Sequence, residues 1–135
     1  MICLDTNVVI TVINRRNPLV ARRLGEALTQ GAEVMLPVIA LFELRYGYAR
    51  SDRRAQMDAL LAEFLSPGIA VLPFEADDAD HAGDIRAGLE RLGQPIGWYD
   101  YLIAAQARCR GATLVTANTR EFVRVPGLIV ADWAA

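Results

Sequence analysis

The chain has 135 residues, 53% of them apolar and 22% charged, which is the size of one domain with enough apolar side chain to build a core. Fourteen basic residues face sixteen acids for a formal charge of −2, and every basic residue is Arg, so P-loop phosphate binding by Lys, Schiff-base chemistry and a Lys general base are excluded. The acidic balance argues against a domain that grips nucleic acid by bulk electrostatics, and Cys3, Cys109 and the single His81 cannot supply a zinc site of the usual spacing.

Short apolar runs alternate with longer helical patterns, predicting an α/β domain on a parallel sheet. Ile2–Leu4 is a very short first strand that runs into Asp5-Thr6-Asn7, three residues suited to helix capping. Asn17-Pro18 reads as the N-cap and first position of a helix that Gly31 stops. Val34–Leu36 is a second strand. Pro37–Arg50 and Arg53–Leu65 are two helices whose short link, Ser51-Asp52, makes them antiparallel neighbours in a helical hairpin over about 37–65. Pro67-Gly68 marks a turn before the third strand, Ile69–Phe74. Helices follow from about Ala76 to Leu92, stopped by Gly93, and from Trp98 to Arg110, stopped by Gly111. Thr113–Thr116 and Leu128–Val130 are the remaining strands. No apolar run approaches the ~20 residues of a membrane span. Met-Ile-Cys-Leu-Asp lacks the basic start of a signal peptide. A cytoplasmic chain is therefore expected, with no membrane partner and with both thiols reduced and packed as small apolar groups.

Acids crowd one stretch, Glu75, Asp77, Asp78, Asp80 and Asp84 around His81. Their expected place is a solvated helix N-terminus, where carboxylates complement the dipole. Three other carboxylates sit where water should be scarce. Asp5 ends a buried-type strand, the position beyond a strand's carboxyl end where ligands of parallel sheets bind, although capping the helix at Thr6 would also explain it. Glu43 shares its helix face with Ile39, Ala40, Tyr46 and Gly47, and no cation lies at those spacings. A partly exposed face or a remote Arg would also accommodate it. Asp100 sits in a first helical turn, where the dipole favours it, yet its face is Gly97, Ile103, Ala104 and Ala107. A buried unpaired carboxylate is costly. Three of them without His or Lys suggest a hard cation held by oxygen, Mg²⁺ or Mn²⁺, of the kind that acts on phosphate.

The segments CLDTNVVI, ALFELRYG, GWYDYLIAAQA and LVTANTREFVRVPGL, in that order, resemble the PIN domain, and within it the VapC-type toxins of bacterial toxin–antitoxin systems. The resemblance covers nearly the whole chain, including DIRAGLERLGQPIG and the terminal ADW. It implies a three-layer α/β/α sandwich around a mainly parallel sheet of about five strands, and a Mg²⁺- or Mn²⁺-dependent endoribonuclease leaving 3′-hydroxyl and 5′-phosphate ends. Asp5, Glu43 and Asp100 fall on the family's acidic positions. The fourth falls on Asn118, an amide without charge, which puts a second fully bound metal in question; Glu121 stands nearby in sequence. Thr6, Asn7 and Thr116 match places that orient carboxylates or the scissile phosphate. Arg15, Arg16, Arg22 and Arg23 are candidates for RNA phosphates, or else a solvated helix face.

The resemblance also implies a homodimer silenced by a VapB-like antitoxin, whose tail crosses the acidic site. The hairpin, with Leu41, Phe42, Tyr48, Leu60, Leu61, Phe64 and Leu65, is the expected docking surface, although Leu41 and Leu61 suit the chain's own core. One divalent cation at the acids would take the formal charge from −2 to about 0, so the acidic balance does not oppose an RNA substrate. Two other functions compete: a non-catalytic module that binds RNA or a partner, and a small-molecule phosphohydrolase. A haloacid-dehalogenase-type site would want Asp at position 7, which is Asn7, and a receiver domain would want a Lys.

Overall fold

The computed structural model describes residues 1–66 and 68–135. Among these residues five strands, β1 (Ile2–Leu4), β2 (Val34–Pro37), β3 (Ile69–Leu72), β4 (Thr113–Val115) and β5 (Ile129–Ala131), pair in the order β3-β2-β1-β4-β5 with every pairing parallel. Leu4, Leu36 and Leu114 are fully buried, as strands covered on both faces require. Seven helices among the described residues complete the α/β/α sandwich: α1 (Thr6–Ile13), α2 (Pro18–Thr29), α3 (Val38–Ala49), α4 (Arg54–Leu65), α5 (Ala76–Arg91), α6 (Trp98–Cys109) and α7 (Thr119–Phe122). None of these is long and apolar enough to cross a membrane.

The strand order places the site. The chain moves from β1 to β2 and β3 on one side, then crosses to β4 and β5 on the other. The order therefore reverses at β1, and the crevice beyond the carboxyl ends of β1 and β4 is where such sheets bind ligands. Asp5 follows β1 directly and its N–H donates to Val115 O at 2.9 Å. Thr116 follows β4. Helix α6 is held tightly against the core because Ile103, Ala104, Ala105 and Ala107 are fully buried. The small side chains allow that close approach, which fixes the position of α6's first turn.

The hairpin forms as expected, with Leu61 and Tyr48 buried and Arg45 Nη1 joined to Asp58 Oδ1 across the two helices at 2.7 Å. Gly31 and Gly111 end their helices at φ +80° and +63°, the left-handed region that suits glycine. Strand β3 is shorter than the expected Ile69–Phe74. Pro73 has no N–H to continue a ladder, and its carbonyl instead accepts from Gln106 Nε2 at 3.0 Å. Strand β4 stops one residue before the expected Thr116. Strand β5 begins one residue later than expected because Leu128 N–H turns back to Val125 O. Helix α7, only four residues long, is too short for a periodic pattern to announce it. Of the expected Pro67-Gly68 turn, Pro67 lies outside the described residues and Gly68 sits at φ +108°.

One acid departs from the solvated cluster predicted around His81. Glu75, Asp77, Asp80 and Asp84 are exposed, but Asp78 is fully buried. Its carboxylate takes Arg110 Nη1 at 2.6 Å and Nη2 at 3.1 Å, and accepts Glu75 N–H at 2.8 Å in a capping box. Burial pushes the Asp78 carboxyl up, but the hydrogen bonds from Arg110 and Glu75 outweigh it and hold the group below its ordinary value. Cys3 is buried as expected, its thiol pushed up to about 11 by burial. Cys109 is only half-buried.

Candidate active site

Asp5 is both cap and site residue. Its Oδ1 accepts Thr6 N–H at 2.8 Å, capping α1, while Oδ2 accepts the Thr116 hydroxyl at 2.8 Å. Thr116 Oγ1 in turn accepts Asn118 N–H at 2.9 Å. This short chain of bonds, laid across the ends of β1 and β4, fixes both carboxylate oxygens of a residue that is 4% exposed. Thr6 also reaches the second acid. Its hydroxyl donates to Glu43 Oε1 at 2.9 Å, tying α1 to α3.

Glu43 is half-buried. Along its helix Ala40 lies in the core, but Tyr46 and Gly47 are exposed, so the apolar face expected from the sequence is inward at one end only. Asp100 occupies the first turn of α6 behind Gly97, whose carbonyl accepts Asp100 N–H at 3.0 Å. A Cβ at position 97 would lie 2.7 Å from Asp100 Oδ2. Glycine is therefore needed there for the carboxylate to stand where it does.

The electrostatics set these groups apart. Burial pushes Asp5 up, opposed by the hydrogen bonds from Thr116 and Thr6. Burial also raises Glu43, with the Asp5 charge adding to it and the Thr6 bond working against it. Asp100 rises furthest, to about 7, through burial first and then the charges of Asp5, Glu43 and Glu121. Among the described residues no cation contributes to any of the three. Asp5 raises Glu43, and both raise Asp100, so their charges bear on one region where a positive charge would be favoured.

The donor set fits a hard divalent ion. It is all oxygen, carries three potential charges and includes no thiol or imidazole. Among the described residues no three or more His, Cys, Asp or Glu stand close enough together to hold a metal ion as they are, so binding one would require the three carboxylates to draw together.

The remaining predicted residues divide. Thr6, Thr116 and Asn118 join the carboxylate network through the bonds described. Asn118 Nδ2 also donates to Glu121 Oε2 at 2.9 Å, so the amide and that acid are paired at the edge of the site. Asn7 is exposed on α1 and makes no side-chain hydrogen bond among the described residues. The four arginines lie on the turn after α1 and on α2. Arg15 holds a left-handed φ of 54° and lines a groove with Val12, Ile13 and Phe64. Arg16 lies beside Thr11 and Trp133. Arg22 pairs with Glu26 at 3.7 Å, and Arg23 donates to Asp132 O at 3.4 Å. None of the four bonds to a site carboxylate. In the sequence Gly97 stands out only as a neighbour of Asp100, and its spacing carries no hint of the steric role.

Residues 2–128 match the PIN domain family. Over 97% of this chain and 96% of the relative, the sequence is 42% identical to a tRNA(fMet)-specific endonuclease VapC of Shigella flexneri. It is 37% identical to ribonuclease VapC2 of Rickettsia felis over 96% of both chains. The fold superposes on the crystal structure of VapBC2 from Rickettsia felis bound to a DNA fragment from their promoter, with a TM-score of 0.91 and 36% identity over 98% of this chain and 99% of that one. A second complex, VapBC-1 from nontypeable Haemophilus influenzae, gives 0.87 and 31% over 100% of both chains.

Proposed function

The chain belongs to the PIN-domain family, among its VapC ribonucleases, and from that premise we propose that it is a toxin that hydrolyses RNA phosphodiester bonds at Asp5, Glu43 and Asp100 with Mg²⁺ or Mn²⁺. The observation that carries the proposal is the set of three raised carboxylates, uncompensated by any cation among the described residues, at the switch point of the sheet. When bound, the cation supplies the charge that admits a phosphodiester among three acids and lowers the pKa of an attacking water.

The chain's own groups do the positioning. Thr6 N–H and the Thr116 hydroxyl lock Asp5 in one rotamer, and the Thr6 hydroxyl aims Glu43. Asp100, pushed up to about 7 by burial and the neighbouring acids, would be one of the three carboxylates that hold the cation, giving up its proton to do so. Asn118 contributes a dipole in place of a fourth charge, so three carboxylates suit one cation better than two. Arg15, Arg16, Arg22 and Arg23 are the proposed contacts for flanking phosphates on the α1–α2 side.

The proposed partner is a VapB-like antitoxin, in keeping with the VapBC complexes that share this fold, and the chain is proposed to act as a homodimer. The hairpin offers a seat. Leu60 and Phe64 of α4 face Val12 and Ile13 of α1 across a groove of about 260 Å³, with Arg15 and Glu63 also lining it. Leu61 and Tyr48 of the expected docking set are spent in the core, and Phe42 is exposed on α3.

Purified chain incubated with cellular RNA tests the activity. Cleavage with Mg²⁺ or Mn²⁺, abolished by EDTA and by Asp5→Asn, is the expected result. Cleavage that persists in Asp5→Asn would contradict the proposal, and intact RNA beside turnover of a generic phosphatase substrate would favour a small-molecule phosphohydrolase.

A further inference from the structure

We infer that Tyr101 and Arg124 are positioning residues that latch the segment 95–97 from two sides and so set the direction of the Asp100 carboxylate; the inference rests on the reading of Asp5, Glu43 and Asp100 as a cation site for RNA hydrolysis. The three acids are aimed by different means. Asp5 accepts a backbone N–H and a hydroxyl, and Glu43 accepts a hydroxyl. The Asp100 carboxylate accepts no hydrogen bond among the described residues, and only burial and neighbouring charges act on it. What stands against it is Gly97. A Cβ there would lie 2.7 Å from Oδ2 and 3.3 Å from Cγ, so the carboxylate fills the space of the missing side chain and packs on the glycine backbone. Packing of this kind aims a group only as well as the wall itself is fixed.

The wall belongs to a stretch without helix or strand, residues 93–97 between α5 and α6, yet it is pinned along its length. Gly93 N–H and Gln94 N–H turn back to the end of α5, donating to Glu90 O at 3.1 Å and Leu89 O at 2.9 Å. Gly97 O accepts Asp100 N–H at 3.0 Å and Tyr101 N–H at 3.3 Å, opening α6. Between these ends the backbone is held by side chains. Ile96 N–H donates to the Tyr101 hydroxyl at 3.1 Å, both residues being buried. Arg124 Nη1 donates to Pro95 O at 2.9 Å.

Packing places both latches. Tyr101 follows Asp100 on α6, and its ring leans back toward the helix N-terminus as long helical side chains do, which brings the hydroxyl to a residue five positions earlier. Arg124 follows α7 between Phe122 and Val125, both buried, so its backbone is anchored while the guanidinium crosses to the Pro95 carbonyl. It enters no ion pair among the described residues. A buried N–H without a partner is costly. Without the phenol hydroxyl Ile96 would turn its N–H toward water and carry Gly97 with it, and a displacement of about 1 Å at a reacting group costs much of the rate.

The test measures cleavage kinetics on cellular RNA and Mn²⁺ affinity by calorimetric titration on one set of variants. Tyr101→Phe keeps the ring and loses only the hydroxyl. It should lower kcat about tenfold, leave KM within about twofold, and weaken Mn²⁺ binding about tenfold. Arg124→Met, at an exposed hydrogen bond that folding does not depend on, should lower kcat and Mn²⁺ affinity about threefold, and Arg124→Lys should restore most of the loss. Gly97→Ala displaces the carboxylate directly, so adding Tyr101→Phe to it should cost less than about twofold more. Asp78→Asn breaks a buried pair at the far end of α6 and should leave both readouts unchanged per folded molecule. Wild-type kcat and Mn²⁺ affinity in Tyr101→Phe would overturn the inference, as would a full tenfold loss on top of Gly97→Ala. A raised KM with unchanged kcat in Arg124→Met would overturn the part assigned to Arg124 and make it an RNA contact. Mn²⁺ binding weakened by Tyr101→Phe in a chain that cleaves no RNA would leave the latch standing and remove the hydrolase reading. Normal RNA cleavage with no dependence on Tyr101 would do the reverse.

Discussion

Asp78 and Asp5 are almost equally hidden from water, at 0% and 4% exposed, and the fold treats their charges in opposite ways. Asp78 receives both Arg110 nitrogens and a backbone N–H, and is held below its ordinary pKa. Asp5 receives one backbone N–H and one hydroxyl, stands near Glu43 and Asp100, and is held above its ordinary pKa. A structural carboxylate is given its counter-charge by the chain. Asp5 is oriented by neutral donors and left short of positive charge, as the proposed cation site would require. The distinction is physical, and it separates the two regions without reference to any relative.

The largest effect expected from breaking this contrast is on catalysis. Asp100→Asn should lower RNA cleavage roughly a hundredfold or more, while the metal-free chain melts at an equal or higher temperature, because a poorly compensated charge has been removed. Rate assays beside thermal melts check both halves. The reverse pattern belongs to the other region. Asp78→Asn should cost about 3 kcal/mol in denaturant unfolding, since it strips a buried pair of its charge, with cleavage per folded molecule unchanged. A smaller effect follows from position alone. Gly97→Ala at its φ of −58° is free of backbone strain, so stability should shift by less than about 1 kcal/mol, but the displaced Asp100 carboxylate should lose about tenfold in rate.

The two regions also respond to pH with opposite signs. Asp100 binds its proton more tightly in the folded chain, up to about 7, than its ordinary value of 3.8 in the unfolded one. In metal-free protein its contribution is therefore complete below the unfolded value and is lost as pH rises through about 7. Asp78, held low, contributes fully above its unfolded value and loses that contribution as pH falls through its lower folded one. Unfolding curves across pH should show the first slope vanish in Asp100→Asn and the second in Asp78→Asn.

Much of this is legible in the residues. The alternation of apolar runs and helical patterns marks the strands to within one or two positions, and the spacing around Asp100 puts it on an inward face, whereas the face of Glu43 is inward at one end only. What escapes depends on contacts between distant segments. Asp78 meets Arg110 across 32 residues, so a run of acids that looks solvated hides one buried member. Thr6 reaches Glu43 across 37 residues, a partnership no helical periodicity can encode. Tyr46 looks like part of an inward face but is exposed, because spacing alone does not say which side of α3 meets the sheet. The short β3 has its cause in the chain itself, at Pro73, which cannot extend a strand ladder.

On the proposed reading Asp5, Glu43 and Asp100 are left without counter-charge because a divalent cation supplies it. Calorimetric titration of Mn²⁺ into the metal-free chain at about pH 6.5, repeated in buffers of different ionisation enthalpy, measures this directly. The expected result is binding that releases about half a proton or more per cation, that releases almost none at about pH 8.5, and that is strongly weakened in Asp100→Asn. Binding without proton release at the lower pH, or with equal affinity in Asp100→Asn, would contradict it.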